Sequence, residues 1–355
     1  MPVEMWFRTA ETWFETHVLG AGVLAALGFT MIVLVGLVLL VLLLTISGSV
    51  LKTLRNVSGA RSARLDKSPG YRILIARPAG KRAGKAGKWL LTAMQTYLTE
   101  FNFGAPYKLT RTGSIKGGLQ PRALSRARRR MAMADADMLV WAERTGAQPD
   151  GFLLHGLSRG GGLRADEARP FTLVLPGRFS VLDGQMPRAT TYFLARELQP
   201  ALANPQSFRP EKMKTLSLAL AEMLEDCPAL SQSLRSRIEG DFCASGVHVA
   251  EQSGDLDAID RVIALRREHL SGIRNDSDPL RAVQAHMDLG RALLARANNK
   301  FDQKVVQEAI SHLSKVIEAL QADTSIQRAQ AASDAMYKAK NMLETRKRFA
   351  VNFGN

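Results

Sequence analysis

The longest apolar stretch of the chain lies near its amino end. Between Thr16 and Leu51 the sequence contains no Asp, Glu, Lys or Arg, and residues 21–44 are almost wholly apolar or glycine. An uncharged run of this length is typical of a transmembrane helix. A cleaved signal peptide is the alternative, but it would be shorter and would follow basic rather than acidic residues. The pattern therefore predicts one uncleaved transmembrane helix within residues 18–51.

The charges beside this run indicate its orientation. Five basic residues follow it within residues 52–67, whereas only Arg8 precedes it. Lys and Arg beside a transmembrane helix are retained on the cytoplasmic side. We therefore predict a single-pass protein of a bacterial inner membrane with its carboxyl-terminal body in the cytoplasm.

Residues 1–17 would then form a short external segment. In this segment Trp6, Trp13 and Phe14 recur at helical spacing, which favours a helix at the membrane interface. A frayed polar tail is the alternative. Gly22 and Ala26 lie four residues apart, a spacing that lets two anchors pack closely, so the sequence also predicts a homo-oligomer through the anchor.

Short β-branched runs alternate with amphipathic stretches between residues 71 and 186, after a basic linker of residues 52–70. The predicted order is strand, helix, strand, helix, strand, strand, strand, which indicates a small α/β domain. The predicted elements are Tyr71–Arg77, Trp89–Phe101, Tyr107–Thr110, Pro121–Ala134, Met138–Glu143, Phe152–Leu157 and Phe171–Leu175.

From residue 187 to 355 the pattern is helical, and two of its segments recur. The segment Arg281–Ala292 is echoed by Arg328–Ala339, and Leu256–Leu270 is echoed by Val306–Leu320. This self-similarity predicts an all-α repeat domain, with a plain helical bundle as the alternative. The predicted helices are about Thr190–Ala201, Pro210–Asp226, Ala229–Glu251, Asp255–His269, Pro279–Ala297, Gln303–Ala322 and Ser325–Arg348.

Two parts of the chain resemble known families. The segments ADADMLVWAE at Ala134–Glu143 and TLVLPGRF at Thr172–Phe179 resemble the TolB amino-terminal type of domain. This resemblance implies an association module without a catalytic centre. The stretch from Ala285 to Leu320 resembles a tetratricopeptide-like helical hairpin, in which Gly290 and Ala292 would let two helices approach, although its repeat is longer than usual. The predicted fold class is therefore a small α/β domain plus an all-α, tetratricopeptide-like domain, preceded by one transmembrane helix.

The positive charge is concentrated in one part of the sequence. The formal net charge is +15, and residues 52–130 hold 19 Lys and Arg against only Asp66 and Glu100. Anionic lipid beside the anchor is the favoured explanation, and nucleic acid is the competing partner, although no aromatic residue for base stacking lies between Arg111 and Arg130. The lipid- or phosphate-facing cluster predicted here is Lys81, Arg82, Lys85, Lys88, Arg122, Arg126, Arg128, Arg129 and Arg130.

The sequence offers little evidence for catalysis. The six histidines have no metal-ligand spacing, and the two cysteines, Cys227 and Cys243, have no partner pattern for zinc or a disulfide framework. The glycine run at residues 160–162 lacks the Lys and Ser or Thr of a P-loop. We therefore predict no catalytic residues, no metal and no cofactor, and expect that the protein is not an enzyme.

The leading hypothesis is a membrane-anchored scaffold or adaptor whose helical repeats recruit a protein partner, since stacked helical hairpins leave a groove for a peptide or helix. One alternative is a membrane-tethered sensor that binds nucleic acid or nucleotide through the basic cluster. The other is self-assembly into a membrane oligomer or pore through the anchor.

Overall fold

The computed structural model describes residues 3–14, 16, 30–43, 64, 69–77, 83–144, 151–160, 164–176, 184–199, 202, 208–227, 230–272, 279–321 and 326–352. The chain divides into two units, Met1–Asp66 and Lys67–Asn355.

The first unit contains two described helices. Helix α1, Val3–Phe14, is amphipathic, and its Trp6 and Trp13 side chains are 70% and 58% exposed. Residues 30–43 form helix α2, whose large apolar side chains are also exposed.

The described helices do not include a membrane span. None of them is both long and apolar enough to cross a bilayer. Residues 30–43 extend about 21 Å at 1.5 Å per residue, against about 30 Å of hydrocarbon. The predictions of a single-pass transmembrane helix in residues 18–51 and of an inner-membrane location with a cytoplasmic body are therefore wrong. Residues 17–29 and 44–63, with the Gly22 and Ala26 pair and most of the predicted linker, lie outside the described residues.

The second unit begins with a five-stranded sheet. Its elements are β1 (Tyr71–Ala76), α3 (Ala83–Phe101), β2 (Tyr107–Thr112), α4 (Pro121–Ala134), β3 (Met138–Arg144), β4 (Gly151–Ser158) and β5 (Arg169–Pro176). The order in the sheet is β2-β1-β3-β4-β5, with β1 parallel to β2 and β3, and β4 antiparallel to β3 and β5. This confirms the order of elements predicted for this region.

The two faces of the sheet are covered by different helices, as right-handed crossovers from β1 to β2 and from β2 to β3 require. Ile73, Ile75 and Val140 lie in one core with Leu90 and Met94 of α3. Strand residues alternate between faces, so Leu139 and Trp141, both fully buried, lie on the side of α4. The inner side of α4 is closed by Ala123, Ala127, Met131 and Ala134.

Seven helices follow the sheet among the described residues of the unit. They are α5 (Met186–Leu198), α6 (Pro210–Asp226), α7 (Gln232–Ser253), α8 (Leu256–Gly272), α9 (Pro279–Asn299), α10 (Gln303–Gln321) and α11 (Ile326–Asn352), which confirms the predicted helices within a few residues at their ends. Helices α4, α5 and α6 have proline in the first turn, where the missing N–H costs nothing. Gly254 directly follows α7, and its φ of 71° is a left-handed backbone conformation that glycine adopts without strain.

The packing of α6 to α11 follows the chain. Each helix packs against the next, and α7, α9 and α11 also contact one another in that order. The echoed segments fall on α8 and α10 and on α9 and α11, so the sequence similarity coincides with two successive helix pairs. A Cβ on Gly290 would lie 2.8 Å from Leu313 Cγ, so the predicted close approach of two helices at Gly290 is confirmed.

The helices and the sheet share one core. It extends from the β1 and α3 residues through Met186, Tyr192 and Phe193 of α5 to Leu289 and Ala339. The predicted fold class is wrong as a whole, because the second unit is a mainly helical body around a small mixed sheet, and no described helix could serve as a membrane anchor.

Candidate functional site

A buried ionic cluster joins α7, α8 and α9. Arg266 lies at its centre, with Nη1 3.1 Å from Glu239 Oε2 and Nη2 2.8 Å from Asp288 Oδ2. The three side chains are 4%, 6% and 11% exposed respectively. Gln284 Nε2 donates to Asp288 Oδ1 at 2.8 Å, and His269 Nδ1 lies 3.0 Å from Glu239 Oε2. The cluster therefore fixes the mutual positions of the helices that support the rest of the array.

Burial controls the protonation of groups around this cluster. It raises the pKa of Asp288, against the lowering effect of Arg266. It also raises the pKa of the Cys243 thiol, which is fully buried. Cys243 therefore remains a thiol at neutral pH, whereas a nucleophilic cysteine requires the thiolate.

A pair of histidines joins α9 and α10. The Nδ1 atoms of His286 and His312 lie 2.8 Å apart, so one ring donates and the other accepts. Burial lowers the pKa of His286 to about 4, assisted by His312 and Lys315. Burial also lowers the pKa of His312, although Glu308 opposes this effect. Both rings are therefore neutral at neutral pH.

This pair should make the stability of the fold depend on pH. A histidine whose pKa is lower in the folded chain than in the unfolded chain contributes stability above about pH 6.5, and this contribution is lost as the pH falls towards the folded value. We expect His286→Gln to reduce the loss of unfolding free energy between pH 7 and 4.5 by about 1 kcal/mol, allowing for partial exposure of the rings. Urea unfolding at several pH values measures this, and an unchanged pH profile would contradict it.

A groove beside α11 could hold a ligand, and we call it the C-terminal groove. It has a volume of about 520 Å³. It lies between the end of α9, the α9–α10 turn and α11. Its lining residues are Ala297, Asn298, Asn299, Phe301, Tyr337, Lys338, Asn341, Met342, Thr345 and Arg346.

The side chains that line the C-terminal groove are of types that bind an extended peptide. Tyr337 is 69% exposed, and the Arg346 guanidinium lies 5.2 Å from the centre of the Phe301 ring. The side-chain amides of Asn298 and Asn341 provide donors and acceptors for a peptide backbone, whereas Asn299 Nδ2 already donates to the carbonyls of Ala250 and Ala295. Lys338 and Arg346 supply positive charge, and no carboxylate belongs to the lining residues. The groove is therefore polar, partly aromatic and electropositive.

No protein-family model, curated protein or solved structure matches this chain.

The basic cluster predicted from the sequence is divided in the structure. Lys81 and Arg82 lie outside the described residues, and Lys85 and Lys88 lie on α3, where Lys88 is exposed. The five arginines from Arg122 to Arg130 lie on α4, where Arg122, Arg126 and Arg129 are exposed and Arg128 and Arg130 are partly buried.

Arg130 has a structural role. Its guanidinium donates to the carbonyl of Gly113 and, at 3.1 Å, to that of Ser114, so it holds the loop that precedes α4. Burial lowers the pKa of Arg130, with a smaller effect from Arg126.

The other aromatic and histidine residues noted in the sequence are not among those that line the C-terminal groove. Trp6, Trp13 and Phe14 all lie on α1. His155 Nδ1 lies 2.9 Å from Thr172 Oγ1, and His248 Nε2 lies 3.2 Å from the Phe208 carbonyl. Among the described residues no group of three or more His, Cys, Asp or Glu is placed to hold a metal ion.

Sequence reasoning missed the C-terminal groove. In the sequence, Asn298 and Asn299 only follow the predicted helix Pro279–Ala297, and Tyr337 and Lys338 only belong to the echoed segment Arg328–Ala339. The available signal was Tyr337, the single aromatic residue of the polar predicted helix Ser325–Arg348.

Proposed function

We propose that this protein is a scaffold or adaptor that recruits a protein partner through its helical array. The observation that carries this proposal is the C-terminal groove, which combines an exposed tyrosine, asparagine amides and two cations in about 520 Å³. The successive helix pairs, with contacts between α7, α9 and α11, support the interpretation as a tetratricopeptide-like array. Such stacks present extended binding surfaces.

The charge of the groove favours an acidic segment as its occupant. Lys338 and Arg346 stand on one side of α11 eight residues apart, with Asn341 between them along the helix. An extended peptide with Asp or Glu would pair with these cations while its backbone bonds to the amides. The aromatic side chains Phe301 and Tyr337 would supply the apolar contact that carries most of the affinity in small interfaces.

Binding of short peptides to the full chain tests this proposal. We expect a pool of peptides rich in Asp and Glu to bind better than matched neutral and basic pools, as measured by fluorescence anisotropy. The double variant Lys338→Glu with Arg346→Glu should weaken this binding at least about tenfold, because it replaces attraction by repulsion.

A control with the same change of net charge is available on the same helix. Arg328 and Lys340 are exposed on α11 but do not line the groove, so Arg328→Glu with Lys340→Glu should leave the binding of acidic peptides nearly unchanged. Equal binding of the three pools, or an equal loss with this control variant, would contradict the proposal.

The sheet region would then act as an association module as well. This proposal rests on the resemblance of Ala134–Glu143 and Thr172–Phe179 to the TolB amino-terminal type of domain.

A further inference from the structure

One face of α4 carries three exposed arginines. Arg122, Arg126 and Arg129 are separated by four and three residues, so they lie in one row along the helix. We call this row the arginine face. The opposite side of α4 is buried, through Ala123, Ala127 and Met131, against the sheet. The arginine face is therefore held on a rigid element with its side chains turned to solvent.

The surroundings of the arginine face are also positive. Helix α4 contains no Asp or Glu, and Lys116 in the preceding loop is exposed. Asp135, the first acidic residue after α4, is engaged by Arg72 Nη1 at 2.9 Å and by Arg159 Nη1 at 3.0 Å. The three arginines make no ion pair within 4 Å to a carboxylate of the described residues. Their charge is therefore available to an external anion.

The residues beside these arginines favour some partners over others. Anionic lipid gains only about 1 kcal/mol from each basic side chain near its surface, and firm attachment also needs large apolar side chains that enter the bilayer. The exposed residues of α4 include no large apolar side chain, and Leu124 and Met133 are half-buried. A protein interface requires an aromatic or aliphatic anchor, and the exposed residues of α4 are Pro121, Arg122, Ser125, Arg126, Arg129 and Ala132. A single-stranded nucleic acid requires aromatic platforms for its bases, and α4 contains no aromatic residue.

A duplex backbone remains, since its regularly spaced phosphates bind rows of arginine without base stacking. We propose that the arginine face of α4 binds the phosphate backbone of double-stranded nucleic acid. Contacts to phosphate fix the position of a protein on the duplex and carry no base-sequence information directly. This binding is separate from the C-terminal groove.

The test compares the full chain with a triple variant, Arg122→Gln with Arg126→Gln and Arg129→Gln. Labelled DNA duplex, RNA duplex, the corresponding single strands and vesicles containing anionic lipid serve as probes. We expect the triple variant to bind duplex at least tenfold more weakly. The slope of log Kd against log salt for DNA duplex should fall by about 2.7, which corresponds to three lost phosphate contacts. The two duplexes distinguish DNA from RNA as the source of the backbone.

The control carries the same change of net charge elsewhere. Arg261, Arg291 and Arg328 are exposed on α8, α9 and α11, and their replacement by Gln should change duplex affinity less than about twofold. An equal loss in this control would show attraction by net charge alone and overturn the proposal. Single strands binding more tightly than duplex, or vesicle binding that depends on the three arginines, would overturn it as well. Circular dichroism establishes that both triple variants are folded.

Discussion

Replacement of Arg266 by methionine should lower the free energy of unfolding by about 3–5 kcal/mol. The substitution keeps an unbranched side chain of similar length but removes the charge between Glu239 and Asp288, which are 6% and 11% exposed. Both carboxylates would then stay buried after the loss of Arg266, and Glu239 would keep as a cation only Arg235, whose side chain is 40% exposed and whose Nε lies 3.3 Å from Glu239 Oε1. Urea unfolding of the full chain at pH 7 measures the loss.

Two further variants separate the charge effect from loss of packing. Arg267, next in the sequence, is 54% exposed and pairs with Glu308 at 2.8 Å, so Arg267→Met should cost less than about 1 kcal/mol. Adding Glu239→Gln and Asp288→Asn to Arg266→Met should recover most of the lost stability, because no buried charge remains. If the triple variant is no more stable than Arg266→Met, the charges are not the cause.

Truncation of Trp141 should also be costly. Trp141 is fully buried on the sheet face that α4 covers, so Trp141→Ala should lower the unfolding free energy by about 3–5 kcal/mol through lost contacts and a residual cavity. Trp141→Phe should cost less than about 1.5 kcal/mol. The indole Nε1 has no hydrogen-bond partner among the described residues, so phenylalanine removes a buried donor that is already unsatisfied.

Tyr192 provides the comparison for this second prediction. Its hydroxyl donates to Asp241 Oδ2 at 2.7 Å in a buried site, so Tyr192→Phe removes a satisfied group and should cost about 1–3 kcal/mol. Thermal unfolding of the unmodified chain and of the Trp141→Ala, Trp141→Phe and Tyr192→Phe variants, monitored by circular dichroism, gives the order of stability. A larger loss for Trp141→Phe than for Tyr192→Phe would contradict the interpretation.

Much of the second unit could be predicted from hydrophobic periodicity. Strands such as Tyr71–Ala76 and amphipathic helices such as Gln303–Gln321 carry local patterns of period two and about 3.6, and these patterns determine their type. The close packing at Gly290 was also predictable, because a small residue on a helix face allows a neighbour to approach.

The ionic cluster and the C-terminal groove could not be predicted in the same way. Glu239, Arg266 and Asp288 are 27 and 22 residues apart, and each looks like an ordinary surface charge on its own helix. Only the packing of α7, α8 and α9 brings them together. The basic cluster illustrates the opposite error. A run of arginines in the sequence predicted one surface. In the helix, however, Arg130 contacts the preceding loop, and of its arginines only Arg122, Arg126 and Arg129 are exposed.

The position of α5 has a consequence for any attempt to study the sheet region on its own. Met186, Ala189, Tyr192 and Phe193 of α5 belong to the same core as the sheet and α3. A fragment that stops before α5 would expose an apolar face of α3 to solvent and would tend to aggregate. The sheet and the helices after it should therefore fold together, because each buries apolar surface of the other.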